Sequence, residues 1–116
     1  MEIKAEKYSI IYDSNDSVVR CSGTLLLNGS KEYEPILQLL NTAANTQQDN
    51  LMIDLCDLKF LNSSGINMLT RFIINVFDIE VLNIVLTIKG QTQIAWQEKL
   101  LKNLQRLAPS LKTQLD

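Results

Sequence analysis

"LMIDLCDLKFLNSSGINML", residues 51–69, is the stretch on which the reading of this chain turns. It opens with Leu51 to Leu55, an almost wholly apolar run of the kind found in strands covered on both faces. Cys56-Asp57-Leu58-Lys59-Phe60-Leu61 reads as the exit from the sheet. Asn62-Ser63-Ser64-Gly65 follows, and the apolar pattern then resumes with a different period. At about 100° per residue, Ile66, Leu69, Ile73, Val76 and Phe77 share one helix face. Asn67, Arg71, Asn75 and Asp78 fall opposite, with Met68, Phe72 and Ile74 on the shoulders. The stretch is therefore strand, turn, helix.

Asn62 suits the N-cap of that helix, because its side-chain oxygen can accept from a free amide one turn in. Ser63, Ser64 and Gly65 form the first turn, where backbone N–H groups lack intrahelical partners. The positive end of the helix dipole lies at the same place, so an anion is favoured there. Two readings stand side by side. NSSG is ordinary turn and cap chemistry, or it is a phosphate-accepting switch, since a phosphate on Ser63 adds close to two negative charges at that end. Gly65 fits close approach by a partner and tight packing against the neighbouring strand equally well.

Outward from this stretch, the pattern repeats. Tyr8, Ile10 and Tyr12 alternate, Asp13 to Ser17 forms a polar break, and Val18 to Leu27 resumes the alternation, which predicts a hairpin. Gly23 inside the second strand marks a bulge or bend. A helix starts between Ser30 and Pro35, with proline in its first turn. Its apolar stripe is Tyr33, Ile36, Leu37, Leu40 and Ala44. Val81 to Ile88 reads as another buried strand, and Thr92 as the N-cap of a third helix over Gln93 to Leu107, ended by Pro109. Leu111 to Asp116 adds an edge strand. Strands alternating with helices predict an α/β fold: a mixed sheet, parallel in its later part, of four to five strands with helices packed on it. Ligands and partners of such sheets gather at the carboxyl ends of the strands, where NSSG sits.

Composition narrows the function. The chain has 116 residues, the size of one domain, and a formal net charge of -2, so no basic surface draws in nucleic acid. It has no histidine, and its two cysteines, Cys21 and Cys56, lie in apolar runs and read as buried free thiols. No zinc ligand set and no glycine-rich phosphate loop is present, so neither metal nor cofactor is expected. The first residues lack the apolar core of a signal peptide, and no window reaches the ~18 apolar residues of a membrane span. A soluble, cytoplasmic protein without a membrane partner is expected.

The residues of 51–69 resemble the signature of the STAS domain of bacterial anti-sigma factor antagonists. There an apolar strand ending in Asp or Asn leads through a loop with an apolar pair to Asp-Ser-Ser-Gly and an apolar helix. Asp54 and Leu55 match the strand end, Leu58, Phe60 and Leu61 the loop, and Ser63, Ser64 and Gly65 the core motif. The chain also resembles a small STAS-like branch associated with cyanobacteria. The resemblance spans most of the chain and implies one STAS-like domain over residues 1–116. It implies a cytoplasmic signalling protein in transcription regulation by partner switching. Its partner would be both serine kinase and anti-sigma factor, and the phosphoserine would be Ser63. The implied recognition face is Asn62, Ser63, Ser64 and Gly65, with apolar contact from Met68 and Ile74 on the helix shoulders.

Asn62 departs from the family's aspartate. It keeps the cap and removes a charge, which favours an alternative: a STAS-like scaffold that is not phosphorylated and binds its partner, or itself as a homodimer, constitutively. A serine hydrolase is the third class. A nucleophilic Ser63 needs a base, the chain has no histidine, and a Ser-Lys pair would rest on Lys59 without any supporting pattern. The expectation is a binding protein, not an enzyme.

Overall fold

The structure is a computed structural model that describes residues 1–46, 49–78 and 84–116. The elements in chain order are β1 (Glu2–Lys4), β2 (Tyr8–Asp13), β3 (Val18–Leu25), α1 (Gly29–Asn45), β4 (Asn50–Leu61), α2 (Ser63–Asp78), β5 (Val85–Gly90), α3 (Ala95–Leu107) and β6 (Lys112–Leu115). The strands form one six-stranded sheet whose spatial order is the order in the sequence. β1, β2 and β3 pair antiparallel; β3, β4, β5 and β6 pair parallel. The sheet is thus mixed, as expected, with more strands than the expected four to five, because the N-terminal Glu2–Lys4 joins it as well.

The hairpin follows from its turn chemistry. The Asp13 carboxylate accepts from the amides of Asn15 and Asp16, and Ser17 takes a φ of 55° that tightens the return. Arg20 then reaches back to Asp13 and Asp16. Gly23 does mark an irregularity: the β3–β4 register shifts between Gly23 and Thr24. Its φ is +91°, and a side chain there would meet the Lys7 carbonyl, so no other residue fits without strain.

Each parallel pair is joined by a helix, and such crossovers are right-handed. With strands laid down in one direction, right-handed crossovers put α1, α2 and α3 on the same side of the sheet. Burial agrees. Leu51, Ile53 and Leu55 are buried under the helices, while Met52, Asp54 and Cys56 between them are only half-buried on the other side. The reading of Leu51 to Leu55 as covered on both faces is therefore corrected: the strand alternates, and an apolar Met52 on the open face hid the period. Cys21 is buried as expected, whereas Cys56 lies half-buried on the open face. The core joins Ile10, Val19, Tyr33, Phe72, Ile73 and Leu86, all fully enclosed between sheet and helices.

Several boundaries also move. Cys56 to Leu61 stays in the sheet as the second half of β4, paired along Ser22 to Leu25. Helix α1 begins at Gly29, so Pro35 lies inside it rather than in its first turn. Helix α3 begins after Ile94, without a side-chain cap. Thr92 instead donates its amide and hydroxyl to the Asp116 carbonyl and so anchors the end of β6. Of the strand expected over Val81 to Ile88, the first three residues lie outside those described; β5 runs on to Gly90. Among the described residues no helix is long and apolar enough to cross a membrane.

Candidate functional site

Asn62 ends β4 and begins α2, and every polar atom of its side chain is used. Its Oδ1 accepts from the Gly65 amide at 3.0 Å, the expected cap. The same oxygen accepts from the Tyr33 hydroxyl at 2.7 Å. Its Nδ2 donates to the Leu27 carbonyl at 2.7 Å. Asn62 thereby ties α2 to the first turns of α1 and to the loop that leaves β3. Burial raises the Tyr33 hydroxyl above the ordinary phenol range, which keeps it a neutral donor. Sequence reading placed Tyr33 only in the apolar stripe of α1; its hydroxyl at the end of that stripe was the overlooked signal.

This geometry explains why the position is asparagine. A carboxylate would cap Gly65 and accept from Tyr33 equally well, but its second oxygen would face the Leu27 carbonyl where Nδ2 now donates. Two acceptors in contact repel, so the amide is the form that fits.

Ser63 is exposed at the first position of α2. The cap serves Gly65, which leaves the amides of Ser63 and Ser64 open to solvent or to an anion. Among the described residues no hydrogen bond joins Ser63 to a lysine. Ser64 is half-buried, and its Oγ accepts from the Gly29 amide at 3.3 Å, which brings the N-termini of α1 and α2 together.

Two of the expected recognition residues face inward. A side chain at Gly65 would run into Leu61 Cδ1 and come within 2.9 Å of the Tyr33 hydroxyl. Of the two readings of Gly65, tight packing is the one the structure supports. Met68 is buried, at 4% exposure, because α1 packs against α2 along that side. It cannot supply the exposed apolar contact expected of it, although it floors a shallow depression rimmed by Ser30, Ser64, Asn67 and Arg71. Ile74 is exposed as expected.

Other apolar surface was missed. Phe60 and Leu26 are each 59% exposed, at the carboxyl ends of β4 and β3 beside Asn62. Phe60 alternates with the inward Leu61, so it lies on the open face of the sheet. It was taken for part of a loop; a strand that outruns its neighbour gives no signal of its own in sequence.

The overhang of β4 is held by side chains. Strand β5 pairs with β4 only as far as Asp54. Beyond it, Gln97, fully buried, donates to the carbonyls of Leu55 at 2.6 Å and Leu58 at 2.9 Å, and accepts from the Gln91 amide. Gln91 donates to the Cys56 carbonyl and Trp96 to that of Lys59. The first turn of α3 thus stands in for the missing strand and fixes the segment that delivers Asn62 and Ser63.

No family model matches the chain, and no curated protein matches it in sequence. Solved structures do match. A chain of the crystal structure of the diguanylate cyclase SiaD in complex with its activator SiaC, from Pseudomonas aeruginosa, superposes with a TM-score of 0.74 at 14% identity, over 99% of this chain and 97% of that one. SiaC of Pseudomonas aeruginosa alone gives 0.68 at 15% identity, over 100% and 96%. An anti-sigma factor antagonist from Mycobacterium paratuberculosis gives 0.66 at 16% identity, over 97% and 90%. The element order, the mixed sheet and these superpositions together show that the chain has the STAS-like fold.

Proposed function

We propose that this chain is a STAS-like regulatory protein that acts by binding a protein partner, not by catalysis. The partner surface is the end of the sheet where β3 and β4 meet α2, and phosphorylation of Ser63 weakens the binding. The observation that carries this is one juxtaposition. An exposed serine in the first turn of α2 lies at the same end of the sheet as exposed Phe60 and Leu26. A phosphate there is compatible with the folded chain, because the helix end favours negative charge. The same charge is costly once a partner covers it, since it has to be desolvated. The partner class is a serine kinase with anti-sigma activity, or an enzyme that the chain activates as SiaC is named the activator of SiaD.

Asn62 favours a second reading, a constitutive scaffold. Its amide is committed to Leu27 and Tyr33, and the residue before Ser63 carries no carboxylate that could orient its hydroxyl. Mass spectrometry on protein from its own cells, stressed and unstressed, separates the two. A single phosphate on Ser63 that changes with condition supports switching, together with partner capture weakened by Ser63→Asp at unchanged stability. Absence of phosphate in all conditions, with Ser63→Ala leaving partner capture and cellular output unchanged, establishes the scaffold instead.

A further inference from the structure

Helices α2 and α3 stand apart on the sheet, and the space between them is an open groove of about 480 Å³. Its walls are Leu61 and Ile66 on one side and Trp96, Leu100, Leu104 and Leu107 on the other. Among the described residues nothing covers it, and Leu107 at its rim is 49% exposed. The sequence places Leu107 and Trp96 in the apolar arc of α3, with the spacing of residues meant for a core. Here that arc is wider than the sheet beneath it can bury. An apolar helix face laid between α2 and α3 would bury the rest.

The groove rim has one sign of charge. Lys99 lines it, and Arg106 follows two turns later on the same side of α3. Neither is in an ion pair among the described residues, whereas Lys102, further round the helix, is held by Glu98. No acid lines this part of the groove, on a chain whose acids outnumber its bases by 13 to 11. The remaining lining groups, Thr70 and Asn103, are uncharged. We infer that this groove docks an amphipathic α-helix of a partner protein, apolar on the face it inserts and acidic along the edge that meets Lys99 and Arg106. The lining on α3 runs from Trp96 to Leu107, a wall about 17 Å long, enough for about three turns of a docked helix. The inference rests on the proposed reading of the chain as a partner-binding protein, and locates a docking surface that starts at Leu61 and Ile66, on either side of the Ser63 turn, and runs from there along α3.

Trp96 supplies the assay, because it is the only tryptophan and is half-buried in the groove wall. The probe is a synthetic peptide of about 18 residues, with leucines at helical spacing, glutamates on both flanks and no aromatic residue. Its binding is followed by the shift of Trp96 emission and by the anisotropy of a labelled copy. The expected result is saturable binding that weakens with salt. A scrambled peptide of the same composition is expected not to bind, and one with lysine flanks to bind about tenfold or more weaker. Leu107→Asp and Lys99→Glu, both exposed and so compatible with folding, are expected to weaken binding more than Ser63→Asp does. Three results overturn the groove. They are no binding of the glutamate peptide, equal binding of the scrambled one, or loss with Ser63→Asp but not with Leu107→Asp. The last would leave the Ser63 surface standing as the partner site. Trp96 emission that shifts with protein concentration alone, with a dimer in sedimentation that Leu107→Asp dissociates, would assign the groove to a second copy and overturn the partner helix.

Discussion

Replacing Asn62 with alanine removes three interactions at one point, and their cost follows from what each partner has left. The lost bond to the Gly65 amide is an N-cap, worth about 1 kcal/mol. The Tyr33 hydroxyl keeps the Leu25 carbonyl, 3.2 Å away, as an acceptor, so its loss adds little. The Leu27 carbonyl loses its donor in a half-buried setting, worth about 1 kcal/mol more. Asn62→Ala is therefore expected to lose about 2 kcal/mol. For 116 residues that corresponds to a fall in Tm of about 8 °C. Asn62→Asp keeps both acceptor roles and gains up to about 1 kcal/mol from the helix dipole, but sets an oxygen against the Leu27 carbonyl. It is expected between wild type and Asn62→Ala. Urea unfolding followed by Trp96 emission, with circular dichroism as a second probe, measures both. A loss below about 0.5 kcal/mol for alanine, or an aspartate variant as stable as wild type, would refute the account of why asparagine stands here.

Gly65→Ala is expected to destabilise by about 1 kcal/mol net, because overpacking against Leu61 and Tyr33 outweighs the gain in helix propensity; a stabilised variant in the same urea assay would show that Leu61 yields freely. Gln97→Leu is expected to cost about 3 kcal/mol, since it strands the carbonyls of Leu55 and Leu58 and the Gln91 amide in a buried site. Hydrogen exchange should then rise along the second half of β4, and unchanged protection there would sink the idea that α3 replaces a strand. Lys89, 3.0 Å from Asp116, holds that carboxyl below the ordinary range. A carboxyl depressed on folding stabilises above its unfolded pKa and loses that contribution as pH falls through the folded value. The stability difference between wild type and Asp116→Asn should therefore hold near neutral pH and shrink in acid; a difference constant down to strongly acid pH would contradict the ion pair.

The parts legible in the sequence were those with a local cause. The Asn62 cap depends on four adjacent residues, and the hairpin turn on Asp13 and its own neighbours, so both were visible as patterns. Parallel pairing followed from alternation of strands and helices. What escaped depended on distant partners. Met68 lies on a shoulder of the apolar face, and only the approach of α1 buries it. The second half of β4 is strand because Gln97, some forty residues on, supplies donors, and a glutamine in an apolar arc looks like a surface residue until its acceptors are known. Thr92 has the chemistry of a cap but is taken by the C-terminal residue. At the candidate site, Ser63 stood out by its motif, while Phe60 and Leu26 needed the relative lengths of β3 and β4.

The plain succession of strands has a consequence for how the chain is made. Each strand pairs with the one synthesised just before it, so no segment waits for a distant one to emerge. A nascent chain can add one strand and one helix at a time, with the growing edge as template. Strand β6 follows the same rule, and Asp116 just beyond it is held by Gly90, Thr92 and Lys89 together. Each new edge is thus a template for one further strand only, and that strand covers it before the next begins.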